Sequence, residues 1–348
     1  MQSILIRATN WIGDCVMSLP AVRELRRLYP DARLSILARP WVADIYRTGG
    51  LADEVILLDR RAHRGARGLL AIARDLRRRR FDCAVLLQNA FEAAAIARLA
   101  GIPRRIGYDT DHRGFLLTRA VPLQREIMAM HQSFYYLHLL TAARLSPVTY
   151  SPETEPDAPL FLSDEQRLEG TRLLESLGVA AGRPLVGINP GAAYGPTKRW
   201  FPDRYAAVAD RLVERWNAQV LIFGSSGEVE IGREIESAMA HRPIVLSGRT
   251  TLLELMALIE RCDLFLTNDS GPMHLAAALR RPLIALFGST DERATGPMSP
   301  TARVLHKPVE CTPCFLRTCP IDLRCFTQIT VEEVCRLADD ILRGRGNV

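Results

Sequence analysis

One pattern restricts this chain more than any other. Short apolar runs rich in β-formers alternate with amphipathic segments of helical period, in two series separated by a proline-dense stretch. In the first series the runs are Ile4-Leu5-Ile6-Arg7-Ala8, Leu34-Ser35-Ile36-Leu37-Ala38, Val55-Ile56-Leu57-Leu58 and Cys83-Ala84-Val85-Leu86-Leu87. Helical patterns cover 16–28, ended by Tyr29-Pro30, and 68–79. Repeated βα units of this kind imply a parallel sheet with helices on both faces. Between Ser146 and Pro159 the sequence places four prolines in fourteen residues, which neither a helix nor a central strand accommodates, so a linker is expected there.

The alternation then restarts. Leu185-Val186-Gly187-Ile188, Val220-Leu221-Ile222-Phe223, Ile244-Val245-Leu246, Leu264-Phe265-Leu266-Thr267 and Leu283-Ile284-Ala285-Leu286-Phe287 read as strands. Residues 203–216, 228–240 and 252–260 read as helices, and a last helix over 331–342 could pack back across the hinge. With 348 residues, 48% of them hydrophobic, the chain can bury two cores of ordinary size. The expectation is an α/β protein of two domains, 1–160 and 161–348, with ligands beyond the carboxyl ends of the strands and a cleft between the domains.

A formal charge of +6 favours an acidic partner without demanding a nucleic acid. Aromatic residues are 7% of the chain and do not interleave with the basic runs, which speaks against base stacking. The arginine run 77–80 reads as a solvated helix end, with contact to anionic lipid head groups as the alternative. No apolar run approaches the roughly 18 to 20 residues that span a bilayer, and the N-terminus enters a strand without the pattern of a secretion signal. A cytoplasmic protein is expected.

Three glycine-containing turns at strand ends carry the chemistry of the second domain. The first is Asn189-Pro190-Gly191-Ala192-Ala193-Tyr194-Gly195-Pro196-Thr197-Lys198-Arg199-Trp200, and the second is Phe223-Gly224-Ser225-Ser226-Gly227-Glu228-Val229-Glu230. The third, Asn268-Asp269-Ser270-Gly271-Pro272-Met273-His274, opens a helix, and Phe287-Gly288-Ser289-Thr290-Asp291 follows at the next strand end. A helix start presents unpaired amides and partial positive charge, which suits a phosphate. Turns on one sheet edge converge, so Asn189, Gly191, Lys198, Gly224, Ser225, Asp269, Ser270 and Gly271 are candidates to hold a nucleotide diphosphate, with a carboxylate such as Glu230 on ribose hydroxyls.

Neither GxGxxG at the first turn nor GxxxxGK[ST] is present, which argues against nicotinamide chemistry and a P-loop kinase. His274 is either a phosphate contact or a packing residue. In the first domain, Asp14 follows Gly13 after the opening strand. It is either a base that takes a proton from an attacking hydroxyl or an N-cap for the helix from residue 16.

Eight cysteines include the cluster Cys311, Cys314, Cys319 and Cys325, whose spacing could hold zinc or iron through thiolates or could simply pack a loop. Cys15, Cys83, Cys262 and Cys335 read as small buried residues.

The motif from Ile6 to Asp14, Asn189-Pro190-Gly191-Ala192 with Lys198-Arg199-Trp200, the stretch from Asn268 to His274 and Phe287-Gly288-Ser289-Thr290-Asp291 together resemble the bacterial ADP-heptose:lipopolysaccharide heptosyltransferases, glycosyltransferase family 9. The resemblance runs over nearly the whole chain, and the cysteine segment is most similar to the branch that adds the second heptose. It implies a GT-B fold, two Rossmann-like domains facing a central cleft, with donor bound by the C-terminal domain and acceptor by the N-terminal one. It implies an inverting enzyme that moves L-glycero-D-manno-heptose from ADP-heptose to the first heptose of the lipopolysaccharide inner core. The alternatives are transfer to Kdo-lipid A or a non-catalytic nucleotide-sugar module.

By match to the family's motifs Asp14 is the general base, Lys198 the phosphate-binding lysine, and Asp269, Ser270, Gly271 and His274 the turn around diphosphate and sugar. Glu230 is carried over for the ribose, with Glu228 close by. No DxD-like pair stands at a strand end, so transfer without a bound metal or other cofactor is expected. The acceptor implies a peripheral protein at the cytoplasmic face of the inner membrane and no nucleic-acid partner.

Overall fold

The computed structural model describes residues 1–59, 65–148, 156 and 159–344. It divides into two compact units, Met1–Ala158 and Pro159–Val348. Most of the expected proline-rich linker lies outside the described residues; where the chain resumes, Leu160 N donates to Ala278 O at 2.8 Å and so docks on the second unit.

In the first unit the strands are β1 (Ser3–Arg7), β2 (Arg33–Ala38), β3 (Glu54–Leu57), β4 (Cys83–Leu86), β5 (Arg104–Tyr108) and β6 (Arg119–Val121). The second has β7 (Leu185–Asn189), β8 (Gln219–Ile222), β9 (Ile244–Val245), β10 (Leu264–Asn268), β11 (Leu283–Phe287) and β12 (Ala302–His306). The sheet orders are β3-β2-β1-β4-β5-β6 and β12-β11-β10-β7-β8-β9, with every pairing parallel. Counted from its own first strand, each unit has the same doubly wound order, that of a Rossmann fold. The order reverses between β1 and β4 and again between β7 and β10. There Arg7 lies opposite Leu86, and Thr267 opposite Asn189, so the turns that follow leave each sheet side by side.

Alternating residues of the second sheet, Val186, Ile188, Leu264, Leu266, Ile284 and Leu286, form one buried face with the helix Pro202–Trp216 and the helix Val331–Gly344. Burial of such side chains is worth about 1.5–3 kcal/mol each. The last helix gives its apolar stripe of Val334, Ala338 and Leu342 to this core. Trp216 Nε1 donates to Asp339 Oδ1 at 2.8 Å across the same seam.

Two expectations are corrected. The helix over 16–28 is two helices, Ile12–Met17 and Leu19–Leu28, because Pro20 has no amide to give the carbonyl of Val16. The arginine run is partly spent on structure: Arg79 is paired with Asp75 at 2.9 Å and with Glu54. Among the described residues no helix is long and apolar enough to cross a membrane.

Candidate functional site

The switch point of the second sheet collects the first and third glycine turns. Asn268, at the end of β10 and fully buried, is their anchor. Its Oδ1 accepts from Trp200 N at 3.1 Å and from Tyr205 Oη at 2.9 Å, while Nδ2 donates to Pro190 O at 2.7 Å. The turn after β7 is thereby fixed to the end of β10. Asn189 adds a second tie, donating to Gly191 O and to Ser270 Oγ, both at 3.3 Å. Its amide shapes the turns rather than projecting from them.

Within this frame Lys198 Nζ lies 2.5 Å from Asp269 Oδ2, and Thr290 Oγ1 donates to the same oxygen at 2.7 Å. Asp269 is 5% exposed and the lysine side chain 15%, so the pair is largely desolvated. A buried carboxylate without such a partner would be costly. Lys198 also sits over the Tyr194 ring, 5.2 Å from its centroid. Beside it the helix Gly271–Ala278 begins, with Ser270 at its N-cap.

Ser270 does not cap that helix. Its Oγ is 3.1 Å from Thr267 Oγ1, accepts from Asn189 and makes no cap hydrogen bond to the helix. The start of a helix beside an ammonium is an arrangement that suits an anion. His274 is buried behind this turn, 5% exposed.

Gly224 and Ser225 follow β8, and there the structure separates two carboxylates that the sequence leaves close together. Glu228 is buried and closes a capping box: its Oε2 accepts from Ser225 N at 2.8 Å and from Ser225 Oγ at 2.7 Å. Its Oε1 is 4.0 Å from Arg199 NH2 and faces Gly191, where an added Cβ would come within 2.1 Å. A side chain at Gly191 would require the Glu228 carboxylate to move. Glu230, two positions on and so rotated by roughly 200° in a helix, is exposed and lies 3.8 Å from Arg233. Of the two carboxylates, Glu228 is buried at the turn and Glu230 is exposed.

In the first unit, the turn after β1 is organised by Arg7, 3% exposed, whose NH2 donates to Asn10 Oδ1 at 2.9 Å. Burial, then Arg39, lowers the Arg7 guanidinium to about 10. Trp41 Nε1 holds Asn10 O at 2.8 Å. The helix starts at Ile12 with Trp11 as its N-cap, so Asp14 lies inside the first turn and is not the cap the sequence allowed. Asp14 is half-buried. Its carboxylate acts on the phenols behind it: burial first, then Asp14, pushes Tyr136 well up. Cys15 next door is raised to about 12, chiefly by burial, and remains a thiol.

Across the reversal, the turn after β4 brings Asn89. Asn89 Oδ1 accepts from Arg113 NH2 at 2.9 Å, and its Nδ2 donates to Tyr135 Oη. Sequence reading missed Asn89, Arg113 and Tyr135, as it missed the anchoring by Asn268. Position after an apolar run was a usable signal for Asn89; nothing local marks the other two.

Cys311, Cys314, Cys319 and Cys325 line one small closed void of about 10 Å³ with Thr197 and Ser289. Among the described residues, no group of three or more His, Cys, Asp or Glu side chains is arranged to hold a metal ion. What the segment visibly does is brace the donor-side loop: Thr197 Oγ1 donates to Leu316 O, Tyr194 Oη to Phe315 O, and Phe315 N to Ser289 O at 2.9 Å. Gly195, at φ +156°, lets Arg317 O approach to where a Cβ would be 2.7 Å away. Of the other cysteines Cys15, Cys83 and Cys262 are buried and Cys335 is only half-buried.

The comparisons agree with this layout. The profile described as glycosyltransferase family 9 (heptosyltransferase) matches residues 69–324. Lipopolysaccharide heptosyltransferase 2 of Escherichia coli (strain K12) is 32% identical over 317 residues, 88% of each chain. Lipooligosaccharide heptosyltransferase 2 of Haemophilus influenzae is 31% identical over 315 residues, again 88% of each. The solved structure of E. coli ADP-heptose LPS heptosyltransferase II has a TM-score of 0.83 at 29% identity, covering 99% of this chain and 100% of that one. With that profile match, and relatives above 30% identity over most of their own length, the chain belongs to glycosyltransferase family 9, the heptosyltransferases, and has their GT-B architecture.

Proposed function

We propose that this heptosyltransferase moves L-glycero-D-manno-heptose from ADP-heptose to the first heptose of the lipopolysaccharide inner core, with inversion at the anomeric carbon. The observation that carries the donor half is the desolvated Lys198–Asp269–Thr290 knot beside the uncapped start of the helix Gly271–Ala278. In this reading Lys198 and the amides at Ser270 and Gly271 meet the charge that develops on the departing diphosphate, each such donor supplying a few kcal/mol. Asp14 takes the proton of the acceptor hydroxyl as it attacks opposite the ADP. One displacement gives one inversion. The charge is met by protein groups, so transfer proceeds without a divalent metal. The acceptor is a membrane lipid, which places the reaction at the cytoplasmic face of the inner membrane.

The experiment that tests the reading compares two acceptors with labelled ADP-heptose: lipid A carrying only Kdo, and the same molecule with one heptose added. Product from the second and not the first is expected. Product only from the first would move the chain to the branch that acts on Kdo-lipid A, and none from either would leave a nucleotide-sugar-binding module.

Burial and orientation support Glu228 over Glu230 as the partner of the ribose hydroxyls, through the Oε1 that the capping box leaves over. Glu228→Gln should raise donor KM about tenfold, the loss of one charge-assisted hydrogen bond. Glu230→Gln should leave donor KM within twofold. Isothermal titration with ADP checks the pair, and equal effects would remove Glu228 from the nucleotide.

A further inference from the structure

We infer that the Tyr135 hydroxyl is a hydrogen-bond donor to the acceptor sugar, its proton aimed by the chain Arg113 to Asn89 to Tyr135. The inference rests on the transfer reaction proposed above and extends it to a residue with no assigned role.

The direction of each bond follows from what each group can do. Arg113 is fully buried and its guanidinium can only donate. Nε gives to Tyr108 O at 3.0 Å, NH1 to Gln88 O, and NH2 to Asn89 Oδ1 at 2.9 Å. The Asn89 amide is therefore oriented without ambiguity, oxygen toward the arginine and nitrogen toward Tyr135. Its Nδ2 donates to Tyr135 Oη, which must accept. The proton that Tyr135 still carries is then directed away from Asn89.

The ring that carries this hydroxyl is clamped. Tyr108 packs on Tyr135 with centroids 4.4 Å apart and donates its own hydroxyl to Tyr135 O at 2.7 Å. Tyr135 is 6% exposed, in the helix Gln132–Ala142, and lies in the field of Asp14. Asn89 itself stands at the β1/β4 reversal, where a doubly wound sheet binds its ligand. A phenol that keeps its proton, held in one rotamer beside the candidate base, suits a sugar oxygen next to the attacking hydroxyl.

A purely structural network would be indifferent to the direction of its bonds, and that difference can be measured. Tyr135→Phe should raise acceptor KM about tenfold, with donor KM and melting temperature little changed. Asn89→Asp keeps the shape but reverses the relay. The new carboxylate accepts from both Arg113 and the phenol, which consumes the proton the acceptor needs, so acceptor KM should rise by a similar factor although Tyr135 is still present. The double variant should be no worse than either single one. An unchanged acceptor KM in Asn89→Asp, or losses that multiply in the double variant, would overturn the inference. A wild-type protein that fails to transfer at all would instead sink the underlying reaction.

Discussion

Replacing Asp14 with asparagine is expected to lower kcat for heptose transfer by about 10²- to 10⁴-fold, the usual contribution of a positioned general base. Donor KM should stay within twofold, because the groups proposed to hold the donor belong to the other unit. The exchange is nearly isosteric. An acidic group in the first turn of the helix Ile12–Met17 gains at most about 1 kcal/mol from the helix dipole, so folding should survive its loss. A large fall in kcat with an intact melting curve is therefore a chemical effect. Wild-type turnover in this variant would return Asp14 to a structural role.

The catalytic and binding geometry was legible to different depths. Strand positions followed from apolar runs such as Leu283-Ile284-Ala285-Leu286-Phe287, because a strand covered on both faces needs no alternation and shows as a block. The strands Arg104–Tyr108 and Ala302–His306 went unread: each carries arginine, so the apolar block is interrupted. Lys198 and Asp269 stood out as members of glycine turns, but their pairing did not, since 71 residues separate them and only the parallel pairing of β7 with β10 brings the turns together. Glu228 and Glu230 were inseparable by composition. The capping box sets their side chains apart, and that depends on Ser225 lying three residues before Glu228. Tyr135 had no local signature at all, because its part depends on the direction of two hydrogen bonds that begin at a buried arginine.

Lys198→Ala is expected to act on two quantities that a second substitution can pull apart. Donor KM should rise and kcat should fall together, with kcat/KM reduced about 10²- to 10³-fold, because the ammonium is proposed to meet both ground-state phosphate charge and the charge of the leaving diphosphate. Stability should fall as well. Asp269 is 5% exposed, and with Lys198 gone the partner left to its side chain among the described residues is the Thr290 hydroxyl, so breaking the pair should cost about 3 kcal/mol. Adding Asp269→Asn removes the stranded charge, and the double variant should regain most of the lost melting temperature. Its donor KM and kcat should not recover, because the cation proposed to face the diphosphate is still missing. Recovery of kcat/KM along with stability would mean that Lys198 serves only to neutralise Asp269, and the anion cradle would then consist of the helix amides alone.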